Sequence, residues 1–338
     1  MAATRSFIAI LFAGLGLGLS GCGGNSTPEL NGTIAFMSGS GGVAVIGADG
    51  SGRRMLARGE QVVGPIRWSP DGKKLIFAMS KKGGIGRLYV AGADGREARR
   101  ITRSKYETDI NPAWSPDGRR IIFDAEGDGW TDLRMVNSDG SGERKLTTGS
   151  YVTGNPAVVA GGDAWSPDGR TIAYLDHRGR VSLMKPDGSD RRRLKAPVVS
   201  SGGFSWSGVS WSPNGRELVY DDGRRIVVVN ADGTGVRSVL PRGRSPVWSP
   251  DGRKVVFASY EDVFVVNSDG SNLHKVGSHG GAPSWSPDGR WVIYARFDGR
   301  AGDIYVVRPD GSDERQVTDT PSSEADPVWS PLGSQPDG

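Results

Sequence analysis

The pentapeptide Trp-Ser-Pro-Asp-Gly begins at Trp68, Trp114, Trp165, Trp248 and Trp285, and it returns as WSPNG at Trp211 and WSPLG at Trp329. A chain that writes one turn seven times stacks one small unit repeatedly, so its core is shared between neighbouring units. Within the turn, proline presets φ at the second position, aspartate hydrogen-bonds the backbone that follows, and glycine takes the positive φ that closes a hairpin. Behind the turns come KLIFA, RIIFD, TIAYL, ELVYD, KVVFA and WVIYA, apolar runs with Phe or Tyr at one offset. These read as strands. Fifty-two glycines, twenty prolines and only 36% hydrophobic residues suit many short strands joined by tight turns.

A second turn series contains Asp49-Gly50, Asp94-Gly95, Asp139-Gly140, Asp187-Gly188, Asp232-Gly233, Asp269-Gly270 and Asp310-Gly311. Before these turns stand strands such as LYVAG, LRMVN and VFVVN, and after them shorter ones such as RRIT, RKLT and RQVT. Four strands per repeat, the first ending in the tryptophan, make a propeller blade. The two chain ends complete one another: residues 33 to 59 supply three strands without a first, and DPVWSPLG supplies a first strand alone. The expected fold is all-β, a seven-bladed β-propeller of four-stranded antiparallel blades over residues 32 to 333, with a tail at 334 to 338. The C-terminal strand closes the ring against the N-terminal three, which removes an open edge. Trp68, Trp114, Trp165, Trp211, Trp248, Trp285 and Trp329 are then structural, buried between blades with the indole N–H satisfied.

The WSPDG turn, with a DIYV-like strand and an NxDG turn behind it, resembles the WD40-like propeller repeat (PD40) of the TolB family, over nearly all of residues 32 to 333. The resemblance implies a propeller that binds a protein partner in a bacterial envelope. TolB-type proteins carry six blades behind an N-terminal α/β domain, whereas this chain reads as seven blades without one. Tricorn and prolyl-oligopeptidase propellers are also similar, but they work beside a catalytic domain for which no residues remain here.

Residues 1 to 21 hold one basic residue, Arg5, an apolar run from Phe7 to Leu19, and then Leu19-Ser20-Gly21-Cys22. The run of about 13 residues is short for a helix crossing a bilayer of roughly 30 Å and suits the core of a signal peptide. The four residues ending at Cys22 resemble a bacterial lipobox, which implies removal of residues 1 to 21 and diacylglycerol on the Cys22 sulfur. The competing reading is an ordinary secretory leader with a chance cysteine. Residues 22 to 31 form a short polar tether, so the protein is expected in the cell envelope. Its anchor would hold it on the outer leaflet of the plasma membrane, or in the periplasm at the outer membrane.

Both turn series join strands at the same end of each blade and therefore share one face of the disc. Successive repeat tryptophans are 46, 51, 46, 37, 37 and 44 residues apart, and the excess over 37 falls in loops of the opposite face, mainly on blades two to four. Loops on a rigid scaffold are where binding is placed. These loops carry Lys105, Tyr106, Glu107, Asp109, Asp128, Trp130, Tyr151, Asp163, Phe204 and Trp206 as candidate partner-binding residues. Aromatic anchors among carboxylates suit an envelope protein partner. With Trp130 and Trp206 as stacking platforms they also suit a saccharide. A plainer alternative is that the aromatics cover the small cores of their own loops.

Other classes have less support. The formal charge of +4 comes from 42 basic and 38 acidic residues spread along the repeats, not from a patch that nucleic acid would need. Three histidines, His177, His274 and His279, cannot build a multi-histidine metal site, and no catalytic constellation stands out. Asp124, Glu126, Asp128 and Asp132 approach a Ca²⁺ loop without its full pattern. The competing reading makes Asp132, like Asp303, a cap on its own strand. The run DRRRLK at 190 to 195 reads as a solvated outer edge, with anionic headgroups as the alternative contact. The expected function is a lipid-anchored, non-enzymatic, TolB-like scaffold or adaptor without a cofactor. The alternative is a carbohydrate-binding or carbohydrate-processing propeller.

Overall fold

The repeated turn is closed by its own side chains. At Trp68, the Ser69 hydroxyl donates to Asp71 Oδ1 (2.6 Å) and the Lys73 N–H reaches the same oxygen (3.1 Å). The Lys74 N–H donates to Ser69 Oγ (2.9 Å), and the Gly72 N–H to the Ser69 carbonyl (2.8 Å) with Gly72 at φ 64°. The set recurs at Ser115, Ser249 and Ser286, and in blade five Asn214 accepts in place of aspartate. At Asp168 the Ser166 hydroxyl, seconded by the Arg170 N–H, holds the carboxyl below its ordinary range.

The computed structural model describes residues 30–81, 84–103, 107–127, 130–147, 164–176, 178–199, 209–241, 243–299 and 301–331. Its strands form seven antiparallel sheets. In blade one the order is Glu324–Trp329, Thr33–Ser38, Gly42–Gly47, Arg54–Arg58, with Ile34 paired to Trp329 and Ala35 to Val328. The C-terminal strand thus closes the ring. Blade two sets Gln61–Val62 and Arg67–Trp68 against Lys74–Ser80, then Arg87–Gly92 and Arg99–Arg100. Blade three runs Thr108–Trp114, Arg120–Gly127, Trp130–Asn137, Arg144–Lys145. Blade four has Ile172–Leu175, Val181–Met184 and Arg192–Arg193, with Trp165 bridged to Ile172. Blade five runs Ser210–Trp211, Glu217–Asp221, Arg225–Asn230, Arg237–Pro241. Blade six runs Arg244–Trp248, Lys254–Ser259, Asp262–Asn267, His274–Ser278, and blade seven Gly280–Trp285, Val292–Phe297, Gly302–Val307, Arg315–Gln316.

First strands of neighbouring blades touch one another, which places them around the axis. The core is a series of seams: Ile76, Leu88 and Ile101 of blade two interlock with Ile110, Ile121 and Phe123 of blade three, all buried. Both turn series lie on one face. The Ala93, Ser138, Ala231 and Ser268 N–H groups of the second series donate to the Lys73, Arg119, Arg216 and Arg253 carbonyls of the first, each at 2.8 Å. Successive first-series turns also abut, since a Cβ on Gly252 or Gly289 would stand 3.5 Å from Pro213 or Pro250.

Many of the basic residues are structural. Arg99 on the outer strand of blade two donates to the Asp139 and Ser138 carbonyls of blade three (2.8 and 3.0 Å). Arg54, Arg144, Arg192 and Arg237 reach the Ala93, Pro186, Ala231 and Ser268 carbonyls of their next blades in the same way. His274 takes this place in blade six, with Nε2 2.8 Å from the Pro309 carbonyl. Within DRRRLK, Arg191 bonds the Leu146 carbonyl, Arg192 clasps the next blade, and Arg193 lies 3.6 Å from Asp176. The three arginines thus have partners within the propeller while their side chains stay exposed.

The repeat tryptophans are buried, as expected for structural residues. Trp68, Trp211 and Trp285 donate Nε1–H to the Val328, Ala164 and Val247 carbonyls of the preceding blade (3.1 Å each). The indole N–H of Trp114, Trp165, Trp248 and Trp329 has no acceptor in hydrogen-bond geometry among the described residues. Satisfaction of the indole is therefore partial. A paired measurement exposes the difference: Trp285→Phe should cost about 1 kcal/mol more than Trp329→Phe in urea denaturation, because only the former breaks a hydrogen bond.

Candidate functional site: the loop face

The face opposite the turns carries the connections between second and third strands and the crossovers to the next blade. Strand Thr108–Trp114 begins on this face, and its pairing sets Asp109 opposite Ala125 and Ile110 opposite Asp124. Asp109 is turned inward, fully buried at the seam with blade two. Neither carboxylate oxygen has a donor in hydrogen-bond geometry among the described residues. Burial raises its pKa from 3.8 to about 6; the nearby Thr102 hydroxyl and Arg87 guanidinium offset part of this, and the Glu143 and Glu107 charges add to it. Arg87 Nη1 meanwhile donates to the Gly86 and Glu107 carbonyls (2.7 and 2.5 Å). Asp109 thus acts inside the seam and offers no surface to a partner.

Glu107 is half-buried, its carboxylate 2.5 Å from Arg134, which also holds Glu143 at 2.9 Å. Asn111 Nδ2 donates to Asp124 Oδ2 (3.0 Å), both residues buried. Trp130 lies across Gly127, where a Cβ would stand 2.2 Å from its ring, and the Lys145 ammonium is 5.0 Å from the ring centroid. Lys145 also pairs with the buried Asp132 (2.7 Å). Asp303 accepts from Thr318 Oγ1 and Gln316 Nε2 (3.2 Å each). Both aspartates therefore tie the third strand of a blade to its fourth, a cross-strand role in place of a cap on their own strand. Desolvation raises the pKa of Glu126, which pairs with Thr131 beside Asp132.

Cys22, Lys105, Tyr106, Asp128, Tyr151, Asp163, Phe204, Trp206 and His177 lie outside the described residues. Among the described residues no group of three or more His, Cys, Asp or Glu is arranged to hold a metal ion, and no helix is long and apolar enough to cross a membrane.

Two features escaped the sequence reading. In blades three, six, seven and one, the residue three before the tryptophan is left-handed and followed by proline: Asn111, Ser245, Ala282 and Asp326 have φ between 47° and 53°. Pairing slips by a residue near each. A strand beside the axis has one unpaired edge, so a proline there forfeits no ladder bond. The sequence signal was the x-Pro-x-Trp pattern itself. The second feature is that the two-residue connection of blade six exposes Tyr260 and the end of the second strand of blade seven exposes Phe297, although loop length pointed elsewhere.

A family described as PD40, TolB beta propeller domain, matches residues 32–244. Among solved structures, TolB from Acinetobacter baumannii aligns with a TM-score of 0.58 at 17% identity over 88% of this chain. The alignment spans 66% of that TolB, just under two thirds of its length. The putative TolB from Agrobacterium tumefaciens aligns with a TM-score of 0.53 at 24% identity, covering 77% of this chain and 96% of that one. A functionally unknown protein from Desulfotomaculum acetoxidans DSM 771 aligns with a TM-score of 0.61 at 12% identity, covering 88% and 98%. At these identities the structural likeness concerns the fold alone. No curated protein matches the chain.

Proposed function

The chain belongs to the PD40 family, the TolB beta propeller domains, and from that membership we propose that it is a lipid-anchored, non-enzymatic scaffold of the bacterial cell envelope that binds a protein partner through its loop face. The observation that carries the reading is the asymmetry between the two faces. One face repeats the same hydrogen-bonded turns blade after blade. The opposite face collects the length variation, concentrated on blades two to four. A rigid ring with one variable face is a platform for loops that recognise a partner. Anchoring follows from the leader and Leu19-Ser20-Gly21-Cys22, with diacylglycerol on Cys22 as the membrane contact.

An envelope cross-linking pull-down tests the reading, comparing wild type with a Tyr106→Ala, Trp130→Ala, Trp206→Ala triple variant of matched thermal stability. The expected result is one dominant protein captured by wild type and lost by the variant. Identical capture by both would move the binding surface elsewhere. In the same cells, Cys22→Ala should shift the protein from the membrane fraction to the soluble fraction; unchanged partition would remove the anchor from the reading.

A further inference from the structure

The loop face holds a second cluster on blades six and seven, away from the long loops of blades two to four. Strands Lys254–Ser259 and Asp262–Asn267 are joined by Tyr260-Glu261 alone, with Ser259 paired to Asp262. Tyr260 sits at φ 56°, a first turn position that ordinarily takes glycine, and it is 84% exposed. His279, in the crossover to blade seven, has φ 51° and a side chain 62% exposed. Bulky residues held left-handed at the surface gain nothing from packing, and such strain gathers at binding sites.

Hydrogen bonds draw these residues together. The Gly280 N–H donates to the Glu261 carbonyl and the Phe297 N–H to the His279 carbonyl, both at 2.7 Å, and His279 Nδ1 lies 3.5 Å from Glu261 Oε2. The Phe297 ring lies across Gly302, where a Cβ would stand 2.5 Å from it, and the residue remains 49% exposed. The support beneath is firm. Tyr294 packs against Gly277 and Gly280, and Arg296 lies over the Tyr305 ring at 4.0 Å while donating to the Ser278 carbonyl.

We propose that Tyr260, Glu261, His279 and Phe297 form a binding site for a neutral oligosaccharide. A pyranose presents an apolar C–H face, which stacks on an exposed ring, and a rim of hydroxyls, which need donors and acceptors beside that ring. Two exposed rings and an imidazole–carboxylate pair, on residues that these backbone bonds hold together, supply both. Tyr260 and Phe297 are the large apolar side chains exposed here, less than the broad apolar patch that marks many protein-docking sites. His279 and Glu261 stand 3.5 Å apart, so one sugar hydroxyl can donate to the carboxylate while its neighbour meets the imidazole. The site shares no residue with the partner surface of blades two to four and stands independently of it.

Calorimetry of the full-length protein with cellohexaose, xylohexaose and mannohexaose tests the site. At least one should bind wild type with a millimolar or tighter Kd. Tyr260→Gly should melt at the same or a higher temperature, because glycine suits the turn, yet bind at least about tenfold more weakly. Phe297→Ala should weaken binding similarly, while the Tyr106, Trp130, Trp206 triple variant should bind as wild type does. The proposal is overturned if none of the three sugars binds, if Tyr260→Gly binds undiminished, or if Tyr260 is instead needed to capture a protein.

Discussion

A chain ending at Thr318 is expected to lose its cooperative thermal transition and to leave a sizing column as an oligomer. Strand Glu324–Trp329 is the first strand of blade one, pairing with Thr33–Ser38 at Ile34, Ala35, Met37 and Ser38 on either side of a bulge. Its loss uncovers an edge in which five of six residues are buried, and an open buried edge recruits other chains. The same cut removes the buried Trp329 ring, the Val328 carbonyl that accepts from Trp68, and the fully buried Glu324 that Arg53 contacts at 3.1 Å. Loss of one buried tryptophan alone costs about 3–5 kcal/mol. With the strand's hydrogen bonds the total approaches the roughly 5–15 kcal/mol that holds a whole domain folded. Circular dichroism melting and size-exclusion chromatography provide the readout, and a peptide of residues 319 to 338 added in trans should restore the transition. A monomer melting where wild type melts would mean that this strand does not hold the ring.

Closure was legible because its chemistry is local and repeated. Ser69, Asp71, Gly72 and Lys74 complete their bonds within one turn, so seven copies of the motif announce seven turns. The two chain ends offered three strands and one strand, which only a shared blade reconciles. The clasp was hidden for the opposite reason. Arg99 bonds carbonyls 39 and 40 residues further along the chain, and nothing in a run of basic residues marks one as facing the next blade. Tyr260 was missed because loop length was used to find function, whereas its distinguishing property is a backbone angle in a two-residue turn. Asp109 was placed correctly on the chain but not in space. Its position just beyond a loop suggests exposure, while pairing opposite Ala125 carries it into the seam.

Asp109→Asn should raise stability at neutral pH and leave it unchanged in acid. The carboxyl titrates near pH 6 when folded, against 3.8 when unfolded, because burial opposes its charge more than Arg87 and Thr102 favour it. Between these values the folded protein binds more protons than the unfolded chain, so wild-type stability falls as pH rises from about 4 to 6 and stays lower above that. The accumulated loss is roughly 3 kcal/mol by pH 7. Below the unfolded value both states are protonated and the loss vanishes. Asparagine matches the neutral acid in shape and carries no charge at any of these pH values, so its stability should lack this descent. Urea denaturation from pH 3.5 to 8 should give two curves that meet at the acid end and part by up to about 3 kcal/mol at the other, with a melting temperature several degrees higher for the variant at pH 7.5. Curves that part in the opposite sense, with wild type gaining stability over the variant as pH rises, would show that Asp109 is stabilised when ionised, with Arg87 turned from the Glu107 carbonyl to pair with it. In that case the seam between blades two and three would be held by a buried ion pair, and Asp109→Asn would weaken it at neutral pH.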